Sequence, residues 1–232
     1  MKNSSNAASR QHALISGVSD SAPPLDASLQ IRDATAEDMI AVQAIYTPHV
    51  LHSSATFEET PPSVQEMQSR REHVLKQGLP YLVAIINKEI VGYSYASAYR
   101  ARIAYRFTLE DSIYMAIDHA GKGVGKALLA ELLARCDQGP WRQMIAVIAG
   151  NNNLQSIGLH RSLGFKHVGT QPSTGFKFNQ WIDVVFMQRA LGAGDTTLPD
   201  SQGDAGPGGR ANLSPLRQAP GLGKQGAHCL ST

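Results

Sequence analysis

The chain reads as a mixed α/β domain with a central sheet, and three observations predict it. Two stretches of helical spacing precede two adjacent apolar runs joined by a short polar turn. A third apolar run leads directly into a glycine-rich loop and a long amphipathic stretch. Further short strands and one more helix follow before the composition changes near Leu191.

Taken in order, Thr35 with Asp38 three residues on has the form of a capping box, and Met39, Val42, Ile45 and Tyr46 continue with helical spacing. Ser63 with Glu66 repeats that signal after Pro61-Pro62, and this second helix should stop at Gly78. Tyr81 to Ile86 and Ile90 to Tyr95, separated by Asn87-Lys88-Glu89, read as a β-hairpin. Leu109 to Ile117 is a further strand, and a helix over about 123–138 ends at Gly139-Pro140. Met144 to Ala149 reads as a buried strand and Asn153 to Leu163 as a short helix. Phe165–Val168 and Asp183–Arg189 read as two closing strands.

Composition bounds the possibilities. The 232 residues carry a net charge of only +2 and no dense Lys/Arg run, so nucleic acid is not an expected partner, and Arg70-Arg71 reads as a solvated helix face. Cys136 and Cys229 have no metal-ligand spacing with a nearby histidine, so no metal is expected and a reducing, cytoplasmic setting fits. Ala13-Leu14-Ile15 is too short for a signal-peptide core, and no apolar run approaches a membrane span. Residues 1–28 contain no aromatic, and residues 192–232 hold nine Gly and four Pro. Both are expected to be disordered flanks of a domain spanning 29–191.

Gly121, Gly123 and Gly125, between a strand and a helix, bring several backbone N–H groups together, an arrangement that binds an anion. A Walker loop fails, because Ala120 stands where its first glycine belongs and Ala127 where its hydroxyl belongs. A dinucleotide fingerprint fails as well, with Lys126 at the third glycine. Asn153, Ser156 and His160 stand at i, i+3 and i+7, so one helical face carries three short functional groups.

Together, Gly123-Val124-Gly125 and the run Asn153, Ser156, His160, Gly164-Phe165 resemble the acyl-CoA N-acyltransferases of the GNAT superfamily. A narrower resemblance lies in Arg100-Ala101-Arg102-Ile103-Ala104-Tyr105 followed by Thr108-Leu109-Glu110-Asp111-Ser112-Ile113-Tyr114. It extends to Thr56-Phe57-Glu58, Gly175-Phe176-Lys177 and Trp181-Ile182-Asp183-Val184. These segments look like phosphinothricin and methionine-sulfoximine N-acetyltransferases, over about Ile31 to Leu191.

The resemblance implies the GNAT fold, acetyl-CoA as co-substrate, a small amino acid as acceptor and a homodimer. Gly123, Val124 and Gly125 would hold the coenzyme diphosphate. Lys122 or Lys126 would supply the charge that Ala120, at the usual Gln/Arg position, does not. Met115 and Ile117 would contribute from the strand end, and Asn153 with Ser156 would meet the pantetheine arm. His160 falls where a tyrosine commonly protonates the leaving thiolate; it could be that acid or a hydrogen-bonding group at the rim.

The residue chemistry is compatible. An amino acid offers a carboxylate, which Arg100 and Arg102 could clamp with Tyr105 and Phe57 nearby. It also offers an ammonium that must lose a proton before attack. Glu110 is the candidate base, provided burial raises its pKa or a water relays the proton; the alternative is a carboxylate paired with an arginine. Cys136 is an unattractive nucleophile, with no histidine near in sequence. Expected, therefore, is direct acetyl transfer to an α-amino group. The competing readings are a GNAT enzyme for another amine or a protein N-terminus, and a non-catalytic acyl-CoA-binding module.

Overall fold

The structure is a computed structural model in which residues 28–150 and 153–199 are described. Seven strands form one mixed sheet in the order β1-β2-β3-β4-β5-β7-β6. Its left half comprises β1 (Gln30–Asp33), β2 (Tyr81–Ile86), β3 (Glu89–Ala98) and β4 (Thr108–Met115), all antiparallel. β5 (Gln143–Ala149) runs parallel to β4, and β7 (Gln180–Ala190) and β6 (Lys166–Lys177) complete it antiparallel.

Two helices cover one face of the left half, α1 (Met39–His52) and α2 (Val64–Lys76). Tyr46 of α1 packs edge-on to Tyr114 of β4, with ring centroids 4.8 Å apart, and to Tyr93 of β3 at 6.5 Å. The opposite face receives α3 (Val124–Cys136) and α4 (Leu154–Ser162). Val124, Leu128, Leu129, Leu132, Leu133 and Cys136 of α3 are all buried and belong to the core, a stripe at helical spacing that fixes which way the helix faces.

The hairpin β2–β3 turns on Asn87 and Lys88, both at positive φ, as a two-residue turn between right-twisted strands requires. Ser63 caps α2 by accepting from the Glu66 N–H, and Gly78 reverses the chain at φ +72°. At α1 the box is shifted: Asp38 stands at the N-cap, and its carboxylate accepts the Thr35 N–H at 2.6 Å while pairing with Arg32.

Several expectations need correction. β1 carries no sequence signal of its own, being four residues long and mostly exposed. The strand expected to reach Ile117 stops at Met115, and Ile117 lies in an exposed 3-10 turn, Ile117–His119. β6 runs to Lys177 rather than Val168; its glycines, Pro172 and exposed side chains hide a strand that an edge position tolerates. Arg70 and Arg71 are not merely solvated, since Arg70 binds Glu58 and Glu66 and Arg71 binds the Ala34 carbonyl. The first residues of the expected tail, 192–199, lie in turns where Arg142 reaches the Thr197 hydroxyl and the Leu198 carbonyl. The rest of both flanks lies outside the described residues.

Candidate active site

Strands β4 and β5 are paired only from Thr108↔Gln143 to Asp111↔Ala146 and then part. A cleft of about 1010 Å³ opens there. It is lined on one side by Glu110 to Met115 and on the other by Ala146 to Ala149. The Ala116 N–H bonds the Val91 carbonyl, and Tyr99 N–H the Thr108 carbonyl. Even-numbered residues of β4 therefore turn their backbone groups toward β3, and Ile113 and Met115 turn theirs toward the gap. His49 of α1 donates its Nε2–H to the Met115 carbonyl at 2.8 Å. The Met115 N–H remains directed into the cleft.

The cleft passes between the two faces of the sheet. On the α3 and α4 side it reaches Ile117, Gly121, Gly123, Gly125, Lys126, Asn153 and Ser156. Gly123 is the N-cap of α3 at φ +80°, in the left-handed region that suits glycine. The Val124, Gly125 and Lys126 N–H groups that follow have no carbonyl partner within the helix. The Val124 side chain itself is buried in the core, and Lys122 is exposed and outside the cleft lining. Asn153 caps α4 by accepting the Ser156 N–H at 3.2 Å.

On the α1 side the same cleft is walled by His49, His52 and the segment Ser53 to Phe57, with Glu110, Ser112 and Tyr114 of β4 facing it. Glu110 is largely buried, and burial, reinforced by the neighbouring Asp111 charge and opposed by Arg100, pushes its pKa up to about 7. This is the range a general base needs.

His160 is 2 % exposed, and both ring nitrogens are engaged. Nδ1 lies 2.7 Å from the Ser156 carbonyl and Nε2 3.0 Å from Asp111 Oδ2. A carbonyl only accepts, so Nδ1 carries a proton, and the Asp111–His160 contact shares one more. Burial lowers the His160 pKa, but the Asp111 bond and charge and the Ser156 carbonyl outweigh it, and the net shift is upward. Among the described residues Asp111 Oδ1 has no hydrogen-bond partner.

Arg100 and Arg102 lie in different surroundings. The segment between β3 and β4 bends and forms a 3-10 turn, Ile103–Tyr105, so strand alternation does not align Arg100 with Arg102. Arg100 stacks on Tyr99, 4.9 Å from the ring centroid, and lines a smaller cavity of about 460 Å³ with Tyr105, Thr108, Ile145 and Gln188. Arg102 lines neither space. Thr108 and Ile145 share a sheet face with Glu110, so this cavity adjoins Glu110. Cys136 is fully buried with its thiol pushed up to about 12 by burial, unsuited to nucleophilic work.

Sequence reasoning gave no role to His49, Asp111 or Lys177, although Asp111 and Lys177 stand in family-like segments. His49 sits in a segment that looks like ordinary helix, and only the fold brings it to the cleft.

The acetyltransferase (GNAT) domain family model matches residues 31–186. The chain belongs to the GNAT acetyltransferase family. Among relatives of this GNAT protein, phosphinothricin N-acetyltransferase of Alcaligenes faecalis is 53 % identical over 170 residues, covering 73 % of this chain and 86 % of that protein. The L-methionine sulfoximine/L-methionine sulfone acetyltransferase of Pseudomonas aeruginosa is 38 % identical over 165 residues, covering 71 % and 95 %. The crystal structure of a GNAT superfamily phosphinothricin acetyltransferase from Sinorhizobium meliloti, in complex with acetyl-CoA, superposes with a TM-score of 0.72 at 49 % identity, covering 75 % of this chain and 94 % of that one. The fold class, the enzyme class and the family expected from the sequence hold, and acetyl-CoA is the co-substrate of the family.

Proposed function

We propose that this GNAT enzyme acetylates the α-amino group of a small L-amino acid or analogue, such as phosphinothricin, methionine sulfoximine or methionine sulfone, by direct attack in a ternary complex. One observation carries the reading. A single cleft joins an anion-binding helix N-terminus on one face of the sheet to a buried carboxyl with a pKa near 7 on the other. The relatives that act on such amino acids support the acceptor class.

The N–H groups of Val124 and Gly125, with Gly123 and the side chain of Lys126, which lines the cleft where Lys122 does not, hold the coenzyme diphosphate. Asn153 and Ser156 flank the pantetheine arm, and Ile117 and Met115 bound it at the end of β4. The thioester carbonyl lies at the parting of β4 and β5, where the Met115 N–H stabilises the developing oxyanion. Glu110 takes a proton from the ammonium, directly or through a water, and the freed nitrogen lone pair attacks the thioester carbon. The C–S bond then breaks, sulfur keeps the electron pair, and the second proton that the nitrogen sheds on becoming an amide passes through water to the thiolate. His160, with both nitrogens bonded inside the protein, acts by holding α4 against β4. Arg100 and Tyr105, in the cavity next to Glu110, attract the acceptor carboxylate, and Phe57 packs against the acceptor's side chain.

The exposed apolar residues Phe176, Phe178 and Trp181 of the β6–β7 hairpin favour a homodimer, and the need for acetyl-CoA favours a cytoplasmic setting. Among the described residues no helix is long and apolar enough to cross a membrane. The deciding experiment monitors free thiol while the protein is incubated with acetyl-CoA and a panel of amino-acid analogues. Thiol release with methionine sulfone or phosphinothricin is expected. Thermal stabilisation by acetyl-CoA with no release for any amine would make the protein a binding module instead.

A further inference from the structure

Lys177 of β6 is 2 % exposed, yet its ammonium forms no ion pair among the described residues. It donates to the Ser53 carbonyl and to the Thr56 carbonyl, both at 2.8 Å, and lies 4.8 Å from the centroid of the Phe178 ring. A buried ammonium is costly unless its donors are satisfied. The fold keeps this one where a long apolar side chain would fill the space but leave the Ser53 and Thr56 carbonyls, the second of them buried, without this donor.

A second contact fixes the same segment to the same strand. Gly175, two residues before Lys177 and on the same face of β6, accepts the Phe57 ring so closely that a Cβ there would fall 2.1 Å from a ring atom. A third tie comes from within. The Thr56 hydroxyl and Glu58 both bond the Tyr46 hydroxyl, and Arg70 of α2 holds Glu58 at 2.6 Å. The segment Ser53 to Phe57 is the wall of the cleft on the side that Glu110 faces.

We propose that Lys177 is a positioning residue that, with Gly175, pins the Ser53–Phe57 strap to β6 and so sets which acceptor side chains the cleft admits. The inference rests on the proposed function only in naming that end of the cleft as the acceptor end. The pinning itself is a property of the ligand-free protein.

Two variants of the full chain test it, Lys177→Met, which keeps length and loses every donor, and Lys177→Arg, which keeps charge and donors. In Lys177→Met, amide hydrogen exchange of residues 53–57 should rise at least about tenfold. The KM for the acceptor amino acid should rise about fivefold or more, with that for acetyl-CoA held within about twofold. Lys177→Arg should restore both. Exchange and acceptor KM unchanged in Lys177→Met would overturn the proposal, as would a parallel rise of both KM values. Should Lys177→Met fail to fold, Gly175→Ala displaces the Phe57 ring. The ratio of kcat/KM between a large and a small acceptor should then change by about fivefold or more, and an unchanged ratio overturns the proposal. If the unmodified protein acetylates no amino acid, the proposed function fails, and the exchange measurement alone still decides whether Lys177 pins the strap.

Discussion

Glu110 is the proposed base, and the sign of its effect on stability follows from its burial. Its carboxyl is raised from about 4.5 to about 7 by burial and by Asp111. The folded state therefore prefers it protonated. Below about pH 4.5 both folded and unfolded chains carry the proton and nothing is lost. The destabilisation develops between there and pH 7 and is complete above. Glu110→Gln should accordingly make the protein more stable at pH 8 by roughly 1–3 kcal/mol, with no gain at pH 4, as read by thermal or urea unfolding. The same substitution should lower kcat by about 100-fold or more while leaving acetyl-CoA affinity intact; an unchanged rate would remove Glu110 as base. In the unmodified enzyme, kcat/KM should rise with pH through about 7. Sequence made Glu110 visible as a carboxylate in a family segment, whereas its burial depends on strands and helices far away in the chain.

At the scale of elements, the decisive contact is the tie between β4 and α4 through Asp111 and His160. Both side chains are buried, so removing one partner strands the other. Asp111→Asn should cost about 3 kcal/mol or more at neutral pH. Because the shift of His160 is upward, the stabilisation this pair gives is complete below pH 6.5 and falls away as pH rises through the folded value. Urea unfolding of the two proteins at pH 6 and pH 9 should show the gap narrowing at the higher pH. The elements themselves were largely legible. The Ser63 cap, the polar turn after Ile86 and the helix that follows the glycine loop are local signals, and each lies where its pattern put it. Illegible were β1, whose four residues are too few for a period, and β6, whose exposed edge needs no apolar face. The surroundings of Arg100 and Arg102 were illegible for a related reason: alternation applies to strands, and their segment is a bend followed by a 3-10 turn.

At the scale of the whole molecule, the β6–β7 end of the sheet is left bare among the described residues. Trp181 and Phe176 pack edge-on, 5.1 Å apart, and both are more than half exposed. If this patch joins two copies, sedimentation should give about twice the chain mass, and Trp181→Glu should shift the protein toward monomer. The parting of β4 and β5 bears on the order of events. The cleft opens on both faces of the sheet, so in the proposed ternary complex each substrate would have its own doorway, and neither would need to wait for the other to arrive or leave. Initial-rate plots should then intersect, and each product should compete only with the substrate that shares its entrance. Parallel lines would instead mean that the acetyl group rests on the protein between two half-reactions.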